Sequence, residues 1–273
     1  MCLRWMWRRY SLNDKLWRRK APTLVFTMPE QPCELLPWDT EFFGFRVART
    51  RTLVHDENVL ARVDHWCDEN KIALLYHLTP SNEPQEMVFA HGSGFGLVDV
   101  RMTFERSLME SDETRWPSAS VRAAVPGDLT RLEAITSGSF LDTRFYADRN
   151  IPRDKCDLLY RTWIRQSVAG KAGAVFVNDV DGDVAGYITC DVNGSRDVGS
   201  IGLMAVDRSR QRSGVGKALV NHALRWFAGE KVSTVNVVTQ ARNVGAQRLY
   251  QRCGFLTSAV EMYYHKWYRP PLA

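Results

Sequence analysis

A chain of 273 residues, 45% of them hydrophobic, has room for one large core or two ordinary ones, and none of its apolar runs approaches the roughly 18 residues of a membrane span. The formal charge of +5 is lodged in residues 1–27, where seven Lys or Arg face one acid; the rest stands at −1, which speaks against nucleic acid as the partner. Six scattered cysteines, with no C-x-x-C pair and no histidine at ligand spacing, speak against a disulfide framework or a metal site and suit free thiols in a reducing cytoplasm.

In chain order, residues 1–27 are rich in Arg and Trp but lack the apolar core of about 7–15 residues that a secretory signal needs. Two readings stand side by side: a disordered arm, or a leader upstream of a start at Met28. From Cys33 the chain turns globular. Residues 38–52 read as a turn and a strand, and 57–70 as a helix with Val59, Leu60, Val63 and Cys67 on one face. A buried strand over 72–79, a short helix to about His91 and an alternating strand over 95–105 follow.

Sliding the chain against itself by 160 residues pairs Thr79 with Thr239, Gly94 with Gly254, Phe95 with Phe255, Val100 with Val260 and Met102 with Met262. Residues 28–107 therefore read as a degenerate half-domain that copies the end of the chain. It carries RTLVHD opposite residues 211–216, without a glycine, and Ala90 opposite Tyr250. Its role is structural or substrate-facing. Residues 108–120 are polar and punctuated and read as a linker to a main domain over 121–273.

In the main domain a short strand over 121–125 precedes Asp128, read as the cap of a helix bearing Leu129, Leu132 and Ile135. A loop over 139–152, a helix over 154–168, a hairpin of strands 174–180 and 184–192, and a strand over 198–206 come next. A strand over 232–239, a helix over 243–253 and strands across 255–267 close the chain.

The stretch IGLMAVDRSRQRSGVG, residues 201–216, is a strand, a charged turn and the start of a helix. The first N–H groups of a helix lack intrahelical partners and carry the positive end of its dipole, so such a junction binds phosphate. Glycine at Gly214 and Gly216 lets backbone and anion touch, and Arg208, Arg210, Arg212 and Lys217 add positive charge. Alone, G-x-G is more often an ordinary turn. Here it sits in Gln211-x-x-Gly214-x-Gly216, which resembles the Q/R-x-x-G-x-G/A signature of the GNAT superfamily of N-acetyltransferases. The helix that follows buries Val215, Ala218, Leu219, His222, Ala223 and Trp226, and His222 reads as a core histidine.

The resemblance implies an α/β fold, a mixed central sheet flanked by helices, and acetyl-CoA as co-substrate. Its pyrophosphate would lie on Gln211, Arg212, Ser213, Gly214, Val215, Gly216 and Lys217. Its pantetheine would lie along Leu203, Met204, Ala205 and Val206, where the strand splays from its neighbour, with Asn243 as a helix cap or pantetheine contact. A second stretch that matches the family, Asn243-x-x-Ala246-x-x-Leu249-Tyr250-x-x-x-Gly254-Phe255, implies that Tyr250 protonates the departing thiolate. No base stands out; Asp191 is a candidate.

WDTEFFGF, SFLDTRF, IGLMA and VVTQARN further resemble stretches of the superfamily's sugar-nucleotide N-acetyltransferases. That implies a nucleotide-linked amino sugar as acceptor, with Arg144 and Phe145 in its binding region. A guanidinium fork suits a diphosphate; the competing reading of Arg144 is a surface residue paired with Asp142 or Asp148. A protein N-terminus or small amine as acceptor, or a non-catalytic CoA-binding module, are the alternatives, and a homodimer is compatible with either.

Overall fold

The computed structural model describes residues 31–52, 54–109, 120–180 and 182–270, so the N-terminal extension, Met28 and most of the 108–120 segment lie outside it. The described residues divide into two units, interleaved along the chain.

The first unit comprises 31–101, Arg144–Lys155 and 260–270. It holds β1 (Cys33–Leu35), α1 (Pro37–Phe43), β2 (Val47–Thr50), α2 (Glu57–Glu69), β3 (Leu74–Pro80), α3 (Pro84–Gly92) and the start of β4 (Gly96–Ser107). Where the sequence reads as a turn, α1 is a helix. Pro37 presets its first turn, and Gly44, at φ 81°, closes it by donating its N–H to the Thr40 carbonyl. Asp56 caps α2, its carboxylate accepting from the Val59 N–H at 2.8 Å. Strand β2 lies parallel to β3, Val47 opposite Leu74. On its other side β3 pairs antiparallel with β10 (Leu256–Trp267), which puts Tyr76 opposite His265. Val59, Val63, Cys67, Leu75, Ala90 and Phe95 form the core.

The second unit comprises Met102–Thr143 and Cys156–Ala259. Beside the remainder of β4 it holds β5 (Val121–Ala123), α4 (Leu129–Thr136), β6 (Ala174–Val180), β7 (Asp183–Val192), β8 (Val198–Val206), α7 (Val215–Gly229), β9 (Thr234–Gln240) and α8 (Val244–Arg252). Between α4 and β6 the chain forms α5 (Arg144–Ala147), which belongs to the first unit, and α6 (Arg153–Gln166). In this unit the strand order is β4-β9-β8-β7-β6-β5. The result is the mixed α/β architecture of strands and flanking helices that the sequence implies.

Asp128 does not cap α4 with its side chain. Its carboxylate takes two N–H groups of Arg122, at 2.8 and 3.0 Å, and the Val125 N–H, at 2.8 Å. The Arg122 bond outweighs burial and holds the Asp128 carboxyl below its ordinary range.

Gly199 in β8 lets α7 close on the sheet, because a Cβ there would stand 2.5 Å from the Phe227 ring. Gly199→Ala is expected to lower stability by about 1–3 kcal/mol through overpacking, read as a drop in the urea midpoint. An unchanged midpoint would show that Phe227 yields freely.

The 160-residue displacement holds for the backbone. Strands β3 and β9, helices α3 and α8, and strands β4 and β10 have bounds exactly 160 residues apart. Lys71 and Lys231 are both left-handed, at φ 53° and 59°, as are Gly94 and Gly254, at 81° and 83°. The halves differ where a cofactor turn would sit. Strand β2 stops at Thr50, and the loop beyond it is sealed by the Val54 N–H donating to the buried Glu86 carboxylate at 2.6 Å. Strand β8 runs on to Val206. Among the described residues no helix is long and apolar enough to cross a membrane.

Candidate active site

Strand β8 pairs with β9 from Val198 opposite Thr234 to Ile201 opposite Val237, and there the parallel ladder ends. Leu203, Met204, Ala205 and Val206 continue beside β7 alone, with Ala205 opposite Tyr187. The Leu203 N–H is held by the Thr189 hydroxyl at 2.7 Å. This is the splay that the sequence implies.

The turn after β8 is built from its own side chains. Asp207 accepts from the Ser209 N–H at 2.8 Å and meets Arg131 at 2.9 Å. Ser213 Oγ donates to the Arg210 carbonyl at 2.6 Å, and Gln211 Nε2 to that of Val206 at 3.4 Å. Arg212 and Gly214 are both left-handed, at φ 63° and 93°. The Gly214 carbonyl accepts the Ala218 N–H at 3.0 Å, so α7 begins at Val215 and its first N–H groups, those of Val215, Gly216 and Lys217, have no intrahelical acceptor. Arg212, Ser213, Gly214 and Lys217 are exposed or partly so, as an anion site requires.

The two glycines serve different ends. A Cβ on Gly214 would meet nothing within 4 Å, and glycine is there for its backbone angle. A Cβ on Gly216 would stand 3.2 Å from Leu249 and from Met204, so its absence lets α7 pack against α8 and β8.

Asn243 caps α8, its side chain accepting from the Ala246 N–H at 3.1 Å, and is thereby committed to the helix start. Two turns further along the same helix, Tyr250 is buried between Phe104 and Phe255, with ring centroids 6.2 and 5.8 Å away. Its hydroxyl points at the Met204 sulfur, 3.9 Å away. Burial, with a smaller contribution from Cys253, pushes the phenol pKa well up, so it holds its proton at neutral pH. The structure thus brings together the turn, the splayed end of β8 and Tyr250. His222 packs edge-on against Phe176 at 4.6 Å, and burial, then Arg225, lowers its pKa. Asp191 is buried, and one of its carboxylate oxygens accepts the Gly173 N–H at 2.9 Å.

In the first unit the Arg144 guanidinium lies 3.9 Å from the Phe145 ring centroid, 4.4 Å from that of Tyr263 and 4.8 Å from that of Tyr76. Its Nε and Nη2 are buried. This is no surface ion pair with Asp148, whose carboxylate is taken by His265 and Trp267. Phe145 is itself buried, tilted against Phe43. Sequence reasoning named Asp148 only as an ion-pair partner of Arg144 and missed Tyr76, Tyr263 and His265; the available signal was the alternation of Tyr263, His265 and Trp267, which sets them on one face of a strand.

Residues 140–255 match the model of the acetyltransferase (GNAT) family. Enzymes of this family transfer acetyl from acetyl-CoA to an amine, with acetyl-CoA as co-substrate. It is similar to the spore coat polysaccharide biosynthesis protein SpsD of Bacillus subtilis, 32% identical over 52% of this chain, and spans about half (48%) of that protein's length. To mycothiol acetyltransferase of Stackebrandtia nassauensis it is 28% identical, over 78% of this chain and 69% of that one. To dTDP-fucosamine acetyltransferase of Escherichia coli it is 27% identical, over 81% of this chain and 92% of that one. In fold it resembles a GCN5-related N-acetyltransferase from Sphaerobacter thermophilus, at 15% identity and a TM-score of 0.61, over 88% of this chain and 77% of that one.

Proposed function

We propose that the chain acetylates the amino group of a nucleotide-linked amino-deoxy sugar. The observation that carries this reading is the likeness to dTDP-fucosamine acetyltransferase, which extends over 92% of that protein and so is not confined to the turn that acetyltransferases share. The likeness to a polysaccharide biosynthesis protein supports the same class of acceptor.

In this reading the N–H groups of residues 214–217, with Gln211, Arg212 and Ser213, bind the pyrophosphate of acetyl-CoA. The open edge of β8 at 203–206 receives its pantetheine arm, and an N–H near Ala205 receives the thioester oxygen. The neutral amine attacks the acetyl carbon, a C–N bond forms as the C–S bond breaks, the nitrogen gives up a proton to solvent, and Tyr250 donates its own to the thiolate and regains one from solvent. Phe145 supports Arg144, whose guanidinium binds the acceptor's diphosphate.

The test is a screen of the purified protein with acetyl-CoA against TDP- and UDP-linked amino sugars, following CoA release. Turnover with none of them, but with the acceptor of mycothiol acetyltransferase, would favour a second reading, which the 28% identity over 78% of this chain supports. Arg144→Ala is expected to raise the acceptor KM about tenfold or more and leave the acetyl-CoA KM nearly unchanged, since it removes one charge-assisted contact to a phosphate. An unchanged acceptor KM would return Arg144 to a packing role.

A further inference from the structure

Helix α5 has four residues, too few to hold itself, and its one closing backbone bond runs from the Asp148 N–H to the Arg144 carbonyl at 3.1 Å. Beside the buried Phe145 ring, the Asp148 side chain ties the helix end down. One carboxylate oxygen accepts from His265 Nδ1 at 2.6 Å and from Trp267 Nε1 at 2.8 Å; the other accepts the Asn150 N–H at 2.9 Å.

Both side-chain donors stand on one face of β10, with Tyr263 two residues before His265. Tyr76, opposite His265 on β3, stacks on its ring at 4.8 Å and 29°. The Arg144 guanidinium rests on Tyr76 and Tyr263. Anchor and platform are thus one row of side chains, and a guanidinium so placed has few rotamers left to it.

The charges agree with this. Burial raises the Asp148 pKa, but the bonds from His265 and Trp267 outweigh it and the net shift is downward, so Asp148 is an anion. Burial lowers the His265 pKa to about 4 in spite of Asp148, with Arg144 adding to the fall, so the ring is neutral at pH 7. A neutral ring that donates from Nδ1 to an anion carries its lone pair on Nε2, which is buried and has no hydrogen-bond partner among the described residues. The pair therefore holds the helix end without placing a second cation beside Arg144.

We propose that Asp148 and His265 are positioning residues, which set where the Arg144 guanidinium stands and thereby the affinity for the diphosphate of a nucleotide-linked acceptor. This rests on the reading of Arg144 given above. The probe is thymidine diphosphate as an inhibitor competing with the acceptor. His265→Phe keeps a ring on Tyr76 but cannot donate to Asp148; His265→Asn keeps a donor near Nδ1 without the ring. His265→Phe is expected to raise the Ki of thymidine diphosphate about tenfold at an unchanged acetyl-CoA KM, His265→Asn to restore most of it, and Arg144→Ala with His265→Phe to add nothing to Arg144→Ala alone. Should His265→Phe fail to fold, Asp148→Asn replaces it in the cycle, with the same expectation.

A raised Ki for Arg144→Ala but not for the His265 or Asp148 variants would overturn the positioning role and leave the reading of Arg144 standing. A Ki unmoved by Arg144→Ala would overturn that reading and the positioning role with it. Additive effects in the double variant would make His265 a plain packing residue.

Discussion

Tyr250→Phe is expected to lower kcat by about 10²–10⁴-fold while the acetyl-CoA KM stays within a few-fold, the signature of a lost proton donor. The substitution removes one oxygen and keeps the ring that packs against Phe104 and Phe255, so the helix seam stays filled. The only contact forfeited among those described is the long one to the Met204 sulfur, 3.9 Å away. Because burial holds the phenol protonated, the hydroxyl is a donor throughout the neutral range. Steady-state kinetics with each substrate varied check this, alongside the melting temperature. A wild-type kcat in a stably folded variant would remove Tyr250 from the chemistry and hand the proton to solvent.

The second large effect is expected at the cofactor turn. A β-branched residue at Gly214 cannot adopt φ 93° cheaply; strain of about 1–3 kcal/mol, if the turn keeps its shape, converts to roughly a five- to hundredfold loss of acetyl-CoA affinity. Since a Cβ there meets nothing within 4 Å, Gly214→Val should leave the melting temperature little changed. Gly216→Val should lower both affinity and stability, because its side chain would enter the contact with Leu249 and Met204, each 3.2 Å from the added Cβ. Calorimetric titration with acetyl-CoA and thermal melts of the two variants separate the cases. Undiminished affinity in both would sink the assignment of the turn.

These two sites differ in how far the sequence revealed them. The turn was legible because its chemistry is local: a strand, a left-handed glycine and a helix start lie within sixteen consecutive residues, 201–216. The cap at Asn243 was legible for the same reason, a side chain reaching an N–H three residues on. Helix α1 was missed because aromatic residues in a seven-residue stretch show no helical period, and only Pro37 and Gly44 mark its ends. Asp128 was misread as a cap because nothing local shows that Arg122 will claim its carboxylate.

By itself the sequence determined most of the strands and the longer helices, the glycine turn at 211–216 and the seam that carries Tyr250, since each depends on residues a few positions apart. It also disclosed the 160-residue repeat, because glycines and aromatic residues with special backbone or burial demands recur in step. Only the tertiary structure decided that Gly216 is a packing glycine, that Tyr250 faces Met204, and that Asp148 belongs to His265, 117 residues away along the chain. Contacts of that kind are set by which strand lies beside which, and strand pairing leaves no trace in the local spacing of either partner.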